Sequence, residues 1–264
     1  MQLAGNLKPE WRKIMQNKYV SGNFVYKTDI GKVRMTNEDR ALAVTNARGN
    51  VLMVVCDGMG GSQKGEYAAT IATNCLKDEF LKKKRFINSL DAKSWMRYAV
   101  RRTNDIIYHE SQSNPNYANM GTTLTVCLIL PKIILFGQIG DSRAYLVRNK
   151  MLNLMTEDQT LVQYLYRTGH ITKEEMKIHP KRHVLMNALG TSPLVELELT
   201  TYTDDFETIL LCSDGLYNNV KESDINNILR GNDNIEQKCN QLIALANANG
   251  GTDNIAVVLW EGSK

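Results

Sequence analysis

The sequence predicts an α+β protein built from antiparallel sheets covered by helices. Short apolar, β-branched runs come in clusters, the connectors inside a cluster are too short for a parallel crossover, and long helical patterns separate the clusters. A Rossmann-type sheet would instead alternate strand and helix strictly.

Val51–Cys56 is an unbroken apolar run closed by Asp57-Gly58, the length and boundary of a buried strand. Helical patterns follow over 66–83 and 92–111. Residues 122–130 and 133–137 are two further apolar runs separated only by Pro131-Lys132, and 144–147 comes soon after; connectors this short predict three antiparallel neighbours. A short helix is expected over 161–168, inside the least regular stretch of the chain, 158–193, where His170, His179, Pro180 and Gly190 break the pattern and a surface flap is expected. Thr208–Cys212 and 254–260 read as strands, with helices over 222–229 and Ile235–Ala248 between them. No repeat, linker or low-complexity block divides the chain. The expected organisation is one domain over 21–264, preceded by an extension, 1–20, whose role the sequence leaves open.

With 264 residues, 32 Lys plus Arg against 28 Asp plus Glu, and a net charge of +4, the chain lacks the basicity of a nucleic-acid coat or a polybasic membrane anchor. At 43% hydrophobic and 23% charged residues it falls outside the disordered, collagen-like and disulfide-scaffold classes. The five cysteines, Cys56, Cys75, Cys127, Cys212 and Cys239, form no C-x-x-C pair, which fits a reducing compartment. The first 22 residues lack the apolar core of a signal peptide, and no run approaches the roughly 18 apolar residues of a membrane helix. A cytoplasmic monomer with no nucleic-acid or membrane partner is expected. The basic run Lys82 to Arg85 reads as a solvated helix end.

The chemistry lies in acids placed at strand ends. Asp57 closes Val51–Cys56, Asp141 follows the run from Ile133, Asp214 follows Thr208–Cys212 by one residue, and Asp253 immediately precedes 254–260. Glycine adjoins three of them, as Asp57-Gly58, Gly140-Asp141 and Asp214-Gly215. A single Asp-Gly is most simply a hairpin turn. Four such acids are what a hard divalent cation wants, oxygen ligands with room for a backbone carbonyl, although their separation in sequence leaves convergence open. Gly58-Met59-Gly60-Gly61 with Lys64 lacks the Gly-Lys-Ser/Thr of a P-loop, and no G-x-S-x-G elbow is present.

Six motifs make the reading specific. The stretch from Thr28 through Gly31, Arg34, Asn37, Glu38 and Asp39 comes first, followed by Asp57-Gly58-Met59-Gly60-Gly61 and Gly121-Thr122-Thr123. Gly140-Asp141-Ser142-Arg143, Ser213-Asp214-Gly215 and Gly251-Thr252-Asp253-Asn254 complete the set. In order and spacing the chain resembles the bacterial type of the metal-dependent protein serine/threonine phosphatases, the PPM or type 2C family, from about residue 21 to 262. The resemblance implies a four-layer α/β/β/α sandwich with two central antiparallel sheets. It implies two Mn²⁺ or Mg²⁺ ions, with a possible third, and attack of a metal-bridging hydroxide on phosphoserine and phosphothreonine monoesters.

Carried over by motif, Asp57 bridges the two ions, Gly58 (through its carbonyl) and Glu38 serve one, and Asp214 and Asp253 the other. Asp141 with Asp214 takes the third ion, Asp39 orients metal-bound water, and Arg34 grips the substrate phosphate. The implied partners are phosphorylated proteins, including an opposing Ser/Thr kinase and its targets. Charge supports the metal independently: six carboxylates in one cleft repel one another by about 4 kcal/mol per 4 Å pair at an effective dielectric near 20, so divalent cations are required.

Two positions depart from the pattern. Met59 stands where eukaryotic relatives carry a histidine proposed as general acid, and it has no proton to give; Gln159 stands where relatives often carry His. His170, His179 and His183 in the expected flap read as solvated or structural residues that lie within reach of the site. The rival readings are a catalytically silent relative that binds phosphoproteins, disfavoured by the full set of acids, and a phosphatase of small phosphate esters.

Overall fold

The computed structural model describes residues 21–61, 64–203 and 205–262, so the extension 1–20 lies outside the described residues. β1 (Gly22–Asp29), β12 (Ile255–Gly262), β11 (Thr208–Cys212), β8 (Arg143–Arg148) and β9 (Met151–Leu154) form one antiparallel sheet in that order. β10 (Glu198–Tyr202), β7 (Ile133–Ile139), β6 (Leu124–Leu130), β3 (Val51–Cys56) and β2 (Arg40–Thr45) form the other. Helices α1 (Lys64–Lys82) and α2 (Ser89–Ser113) cover the β3 sheet; α5 (Asp214–Tyr217), α6 (Glu222–Arg230) and α7 (Ile235–Ala248) cover the β12 sheet. The result is the four-layer sandwich expected from the resemblance.

The layers explain why the central strands read as continuous apolar runs. In β3, Val51, Met53 and Val55 enter the core between the sheets while Leu52, Val54 and Cys56 enter the core under α1 and α2. In β12, Ala256, Val258 and Trp260 face the other sheet, and Ile255, Val257 and Leu259 face the helices. Both faces of each strand are buried, so the period-2 signal carries no polar residue. All five cysteines are free, and four of them are buried as small hydrophobes.

Three expectations change. The run over 133–147 is not a set of adjacent antiparallel strands: β6 and β7 pair, but β8 belongs to the opposite sheet. The chain changes sheets within 140–142. Gly140 takes a left-handed φ of 91°, and Gln138 Nε2 donates to the carbonyls of Gly140 (2.8 Å) and Ser142 (2.7 Å) in place of ladder bonds. The run over 122–130 is also broken. β5 (Gly121–Thr122) pairs with β4 (Gly58–Met59), because Thr123 N–H (2.9 Å) and Thr122 Oγ1 (3.0 Å) both donate to the Asp57 carbonyl. Finally, β1, β2, β9 and β10 have no counterpart in the sequence reading; they are the edges of the two sheets and are less buried than the central strands.

The stretch 158–193 contains α3 (Leu161–Arg167), capped by Thr160, and α4 (Lys173–Ile178), whose N-terminus is a Thr172/Glu175 capping box. Strand direction fixes where the acids go. β3, β7 and β11 end, and β8 and β12 begin, at the same end of the sandwich. Asp57, Asp141, Asp214 and Asp253 are therefore gathered there by topology.

Candidate metal centre

At this end of the sandwich the acids enclose one edge of an open cleft of about 800 Å³, lined by Asp141, Asp214 and Asp253 on one side and by Met176, Lys177 and His183 of the 158–193 segment on the other. Asp39, just before β2, is 1% exposed, and its Oδ2 accepts a 2.6 Å bond from Ser213 Oγ. Ser213 Oγ in turn accepts the Ala256 N–H at 2.8 Å, so one hydroxyl ties β2, β11 and β12 together behind the acids. Asp57 is set by Thr123, whose Oγ1 accepts its N–H at 2.9 Å. Thr123 Oγ1 also lies 2.9 Å from Ser142 Oγ, which links the Asp57 loop to the Asp141 loop.

The Arg34–Glu38 loop is held by Asn254. Its Oδ1 accepts the Glu38 N–H at 2.9 Å, and its Nδ2 donates to the carbonyls of Ile30 and Thr36, each at 2.9 Å. Gly58 sits where the start of α1 comes closest: a Cβ there would drive into the Gly65 carbonyl, and one at Gly65 into Glu38. Only glycine lets α1 approach the loop that carries Glu38. Arg34 Nη2 pairs with Asp253 Oδ2 at 2.6 Å across the cleft rim. Asp141 is supported from behind: Tyr217 Oη donates to its carbonyl at 3.0 Å, and the Arg143 guanidinium lies 3.7 Å from the Tyr217 ring centroid while gripping Asp158 with two bonds of 2.9 and 2.7 Å.

These carboxylates disturb one another. Burial, with the charges of Asp214 and Asp253, raises Asp39 to about 8 despite the Ser213 hydrogen bond. Burial, then the nearby Asp214 and Asp158, raises Asp141 to about 7. Burial and Asp253 raise Asp214 to about 6, with Arg34 opposing. Asp57 is pushed well above the carboxylate range by burial and by Asp39, Asp214, Asp141 and Asp253 together, and burial raises Glu38. Groups that feel each other this strongly share one site.

All of the site residues expected from sequence, Arg34, Glu38, Asp39, Asp57, Gly58, Asp141, Asp214 and Asp253, are found at this one end. Among the described residues no three Asp, Glu, His or Cys side chains are already drawn together tightly enough to grip an ion, and Arg34 holds Asp253. The donor set nonetheless fits hard divalent cations: it is entirely oxygen, it runs from half-buried to buried, and its mutual repulsion is the kind a cation relieves.

Met59 lies beside Gly121 on the β4–β5 ribbon. Gln159 is a staple: its Oε1 accepts the Gly140 N–H (3.0 Å) and an Asn187 Nδ2 bond (2.7 Å). Of the three histidines, His170 bonds Thr168 (2.8 Å), His179 Nδ1 accepts the Lys181 N–H (3.1 Å), and His183 lines the cleft, where burial and Arg182 lower its pKa. Ser213, Asn254, Thr123 and Arg143 are supporting residues that sequence reasoning placed inside motifs without giving them a task. Ser213 and Asn254 were signalled by adjacency to an acid and Arg143 by lying two residues from one, whereas Thr123 had only its place in the Gly121-Thr122-Thr123 motif.

The family model described as protein phosphatase 2C matches residues 32–259. The serine/threonine phosphatase stp of Listeria welshimeri is 36% identical over 241 residues, covering 89% of this chain and 94% of its own length. The crystal structure of serine/threonine phosphatase Stp1 from Staphylococcus aureus superposes with a TM-score of 0.87 at 33% identity, covering 93% of this chain and 97% of that one. The catalytic domain of the serine threonine protein phosphatase PstP, solved in complex with two manganese ions, superposes with a TM-score of 0.80 at 32% identity, covering 93% of this chain and 100% of that one. Six motifs, a four-layer sandwich and one buried acidic cluster coincide with a family match over nearly the whole chain, which belongs to the protein phosphatase 2C family.

Proposed function

We propose that this protein is a metal-dependent serine/threonine phosphatase that hydrolyses phosphoserine and phosphothreonine monoesters on proteins, an opposing Ser/Thr kinase and its targets among them. The observation that carries the reading is the carboxylate cluster, with Asp39, Asp57, Asp141 and Asp214 each raised by burial and by neighbouring acids, opening onto a cleft beside the Arg34–Asp253 pair.

In this reading Asp57, Glu38, the Gly58 carbonyl, Asp214 and Asp253 hold two Mn²⁺ or Mg²⁺ ions, and Asp141 with Asp214 holds a third. When bound, the ions supply Lewis acidity, making hydroxide available near neutral pH and offsetting phosphoryl charge. The protein residues do the rest. Arg34 exchanges its partner Asp253 for the incoming phosphoryl oxygens, which its planar guanidinium grips through two parallel bonds. Asp39, fixed by Ser213, orients the attacking water for in-line displacement. Ser213, Thr123 and Asn254 hold the carboxylates where they are needed, so little reorganisation accompanies the reaction.

Phosphate release from a phosphothreonine peptide tests this. Activity is expected with Mn²⁺, is expected to vanish in EDTA, and is expected to fall about a hundredfold or more in Asp57→Asn. Undiminished activity after either change would exclude the mechanism.

A further inference from the structure

The two residues on either side of Arg34 are apolar and face solvent. Met35 is 92% exposed and Val33 62%, while the guanidinium between them reaches across to Asp253. A fully exposed methionine beside the phosphate-binding arginine has no task in holding the fold. Nor is the exposure the slack of an untethered loop. The segment is anchored by the Lys32 N–H on the Gly251 carbonyl (2.7 Å), the Gly31 N–H on Asp29 Oδ1 (2.8 Å), Asn254 on the Ile30 and Thr36 carbonyls (2.9 Å each), and Asn37 Nδ2 on Thr28 Oγ1 (3.2 Å). It is a fixed ledge presenting thioether and isopropyl groups on either side of Arg34, whose partner Asp253 lines the cleft.

What covers the ledge is set by what enters the cleft. A phosphorylated side chain whose phosphoryl group reaches Arg34 brings its own backbone, and the residues flanking it, over positions 33 and 35. A small phosphate ester brings nothing there. We infer that Val33 and Met35 are a specificity ledge that selects phosphoserine and phosphothreonine flanked by a large aliphatic or aromatic residue. Methionine suits this use, since its unbranched, polarisable side chain adapts to differently shaped apolar partners. Partial burial of one such neighbour against the ledge corresponds to a preference of about tenfold in kcat/KM. The inference rests on the phosphatase reading above and deepens it by naming the sequence class of the substrate.

The test uses the whole protein with Mn²⁺ and three substrates: a phosphothreonine peptide with Leu or Phe on both sides, the same peptide with Ser or Gln there, and p-nitrophenyl phosphate. The unaltered protein should favour the apolar peptide about tenfold, mainly through KM. Val33→Ser/Met35→Ser should erase that preference while kcat/KM on p-nitrophenyl phosphate stays within about twofold, and Met35→Leu should keep it. Equal kcat/KM on the two peptides, or a preference that survives the double substitution, overturns the ledge while leaving the phosphatase intact. Loss of p-nitrophenyl phosphate hydrolysis in the double variant also overturns it, because the effect would then be on Arg34. Failure of the unaltered protein to hydrolyse any of the three removes the phosphatase reading and the ledge with it.

Discussion

Asp39 is the residue in the cluster most removed from solvent, and one side chain makes its position tolerable. Ser213 Oγ donates to Asp39 Oδ2 and accepts the Ala256 N–H, so removing it leaves a buried carboxylate and a buried N–H each short of a partner. Ser213→Ala should therefore cost about 1–3 kcal/mol of stability in urea titrations, and raise the Asp39 pKa further, because that hydrogen bond is what opposes burial. A fall of about tenfold in kcat at saturating Mn²⁺ is expected alongside. Unchanged urea midpoints would show that Ser213 is replaceable by water. Asp57, Asp141, Asp214 and Asp253 were legible in the sequence because each is punctuated by a strand on one side and a glycine beside or near it, whereas Glu38 and Asp39 were legible only through the motif that carries the family resemblance. Ser213 was not, because a serine next to an aspartate has no periodicity or charge to announce that it bridges three strands.

Among the elements, the strands buried on both faces, Val51–Cys56 and Thr208–Cys212, and the amphipathic helix Ile235–Ala248 were the most legible and have the bounds that the sequence predicts. Edge strands such as β9 and β10 are short and contain no fully buried residue, so they lack the continuous apolar run that marks a central strand. The sheet switch at 140–142 was illegible for another reason. A short connector normally means a hairpin, and only the tertiary structure shows that Gln138 and Thr125 replace the ladder there, with Thr125 Oγ1 donating to the Ser142 carbonyl at 2.7 Å. Gln138→Ala removes one of two donors from each of the Gly140 and Ser142 carbonyls, which keep Gln159 N–H and Thr125 Oγ1, and should destabilise the protein by about 1–3 kcal/mol, read as a lower urea midpoint. Because the same turn carries Asp141, Mn²⁺ affinity in isothermal titration should weaken as well. A stable Gln138→Ala protein with unaltered Mn²⁺ binding would mean that the backbone alone makes the switch.

For the molecule as a whole, the net charge of +4 conceals its distribution, since six of the 28 acids, Glu38, Asp39, Asp57, Asp141, Asp214 and Asp253, lie at one end of the sandwich. Without ions, the fold must either protonate part of that cluster or bear its repulsion. The folded-state values of Asp39, Asp141 and Asp214, about 8, 7 and 6, lie above the ordinary 3.8 of an unfolded chain. The folded protein therefore binds more protons than the unfolded one across this window, and stability falls as pH rises. The contribution is fully present below about pH 4 and is lost as pH climbs through 6, 7 and 8. Other carboxylates set the acid limit, so the informative range is about pH 5 to 8. In EDTA, Tm should decline steadily across that range. Saturating Mn²⁺ takes over the neutralising task of the protons, so it should raise Tm at pH 8 more than at pH 5 and flatten or reverse the slope. Thermal melts at matched ionic strength, with and without Mn²⁺, decide it. A metal-free Tm that rises over this interval, or a Mn²⁺ increment independent of pH, would mean that protons and ions do not compete for one cluster.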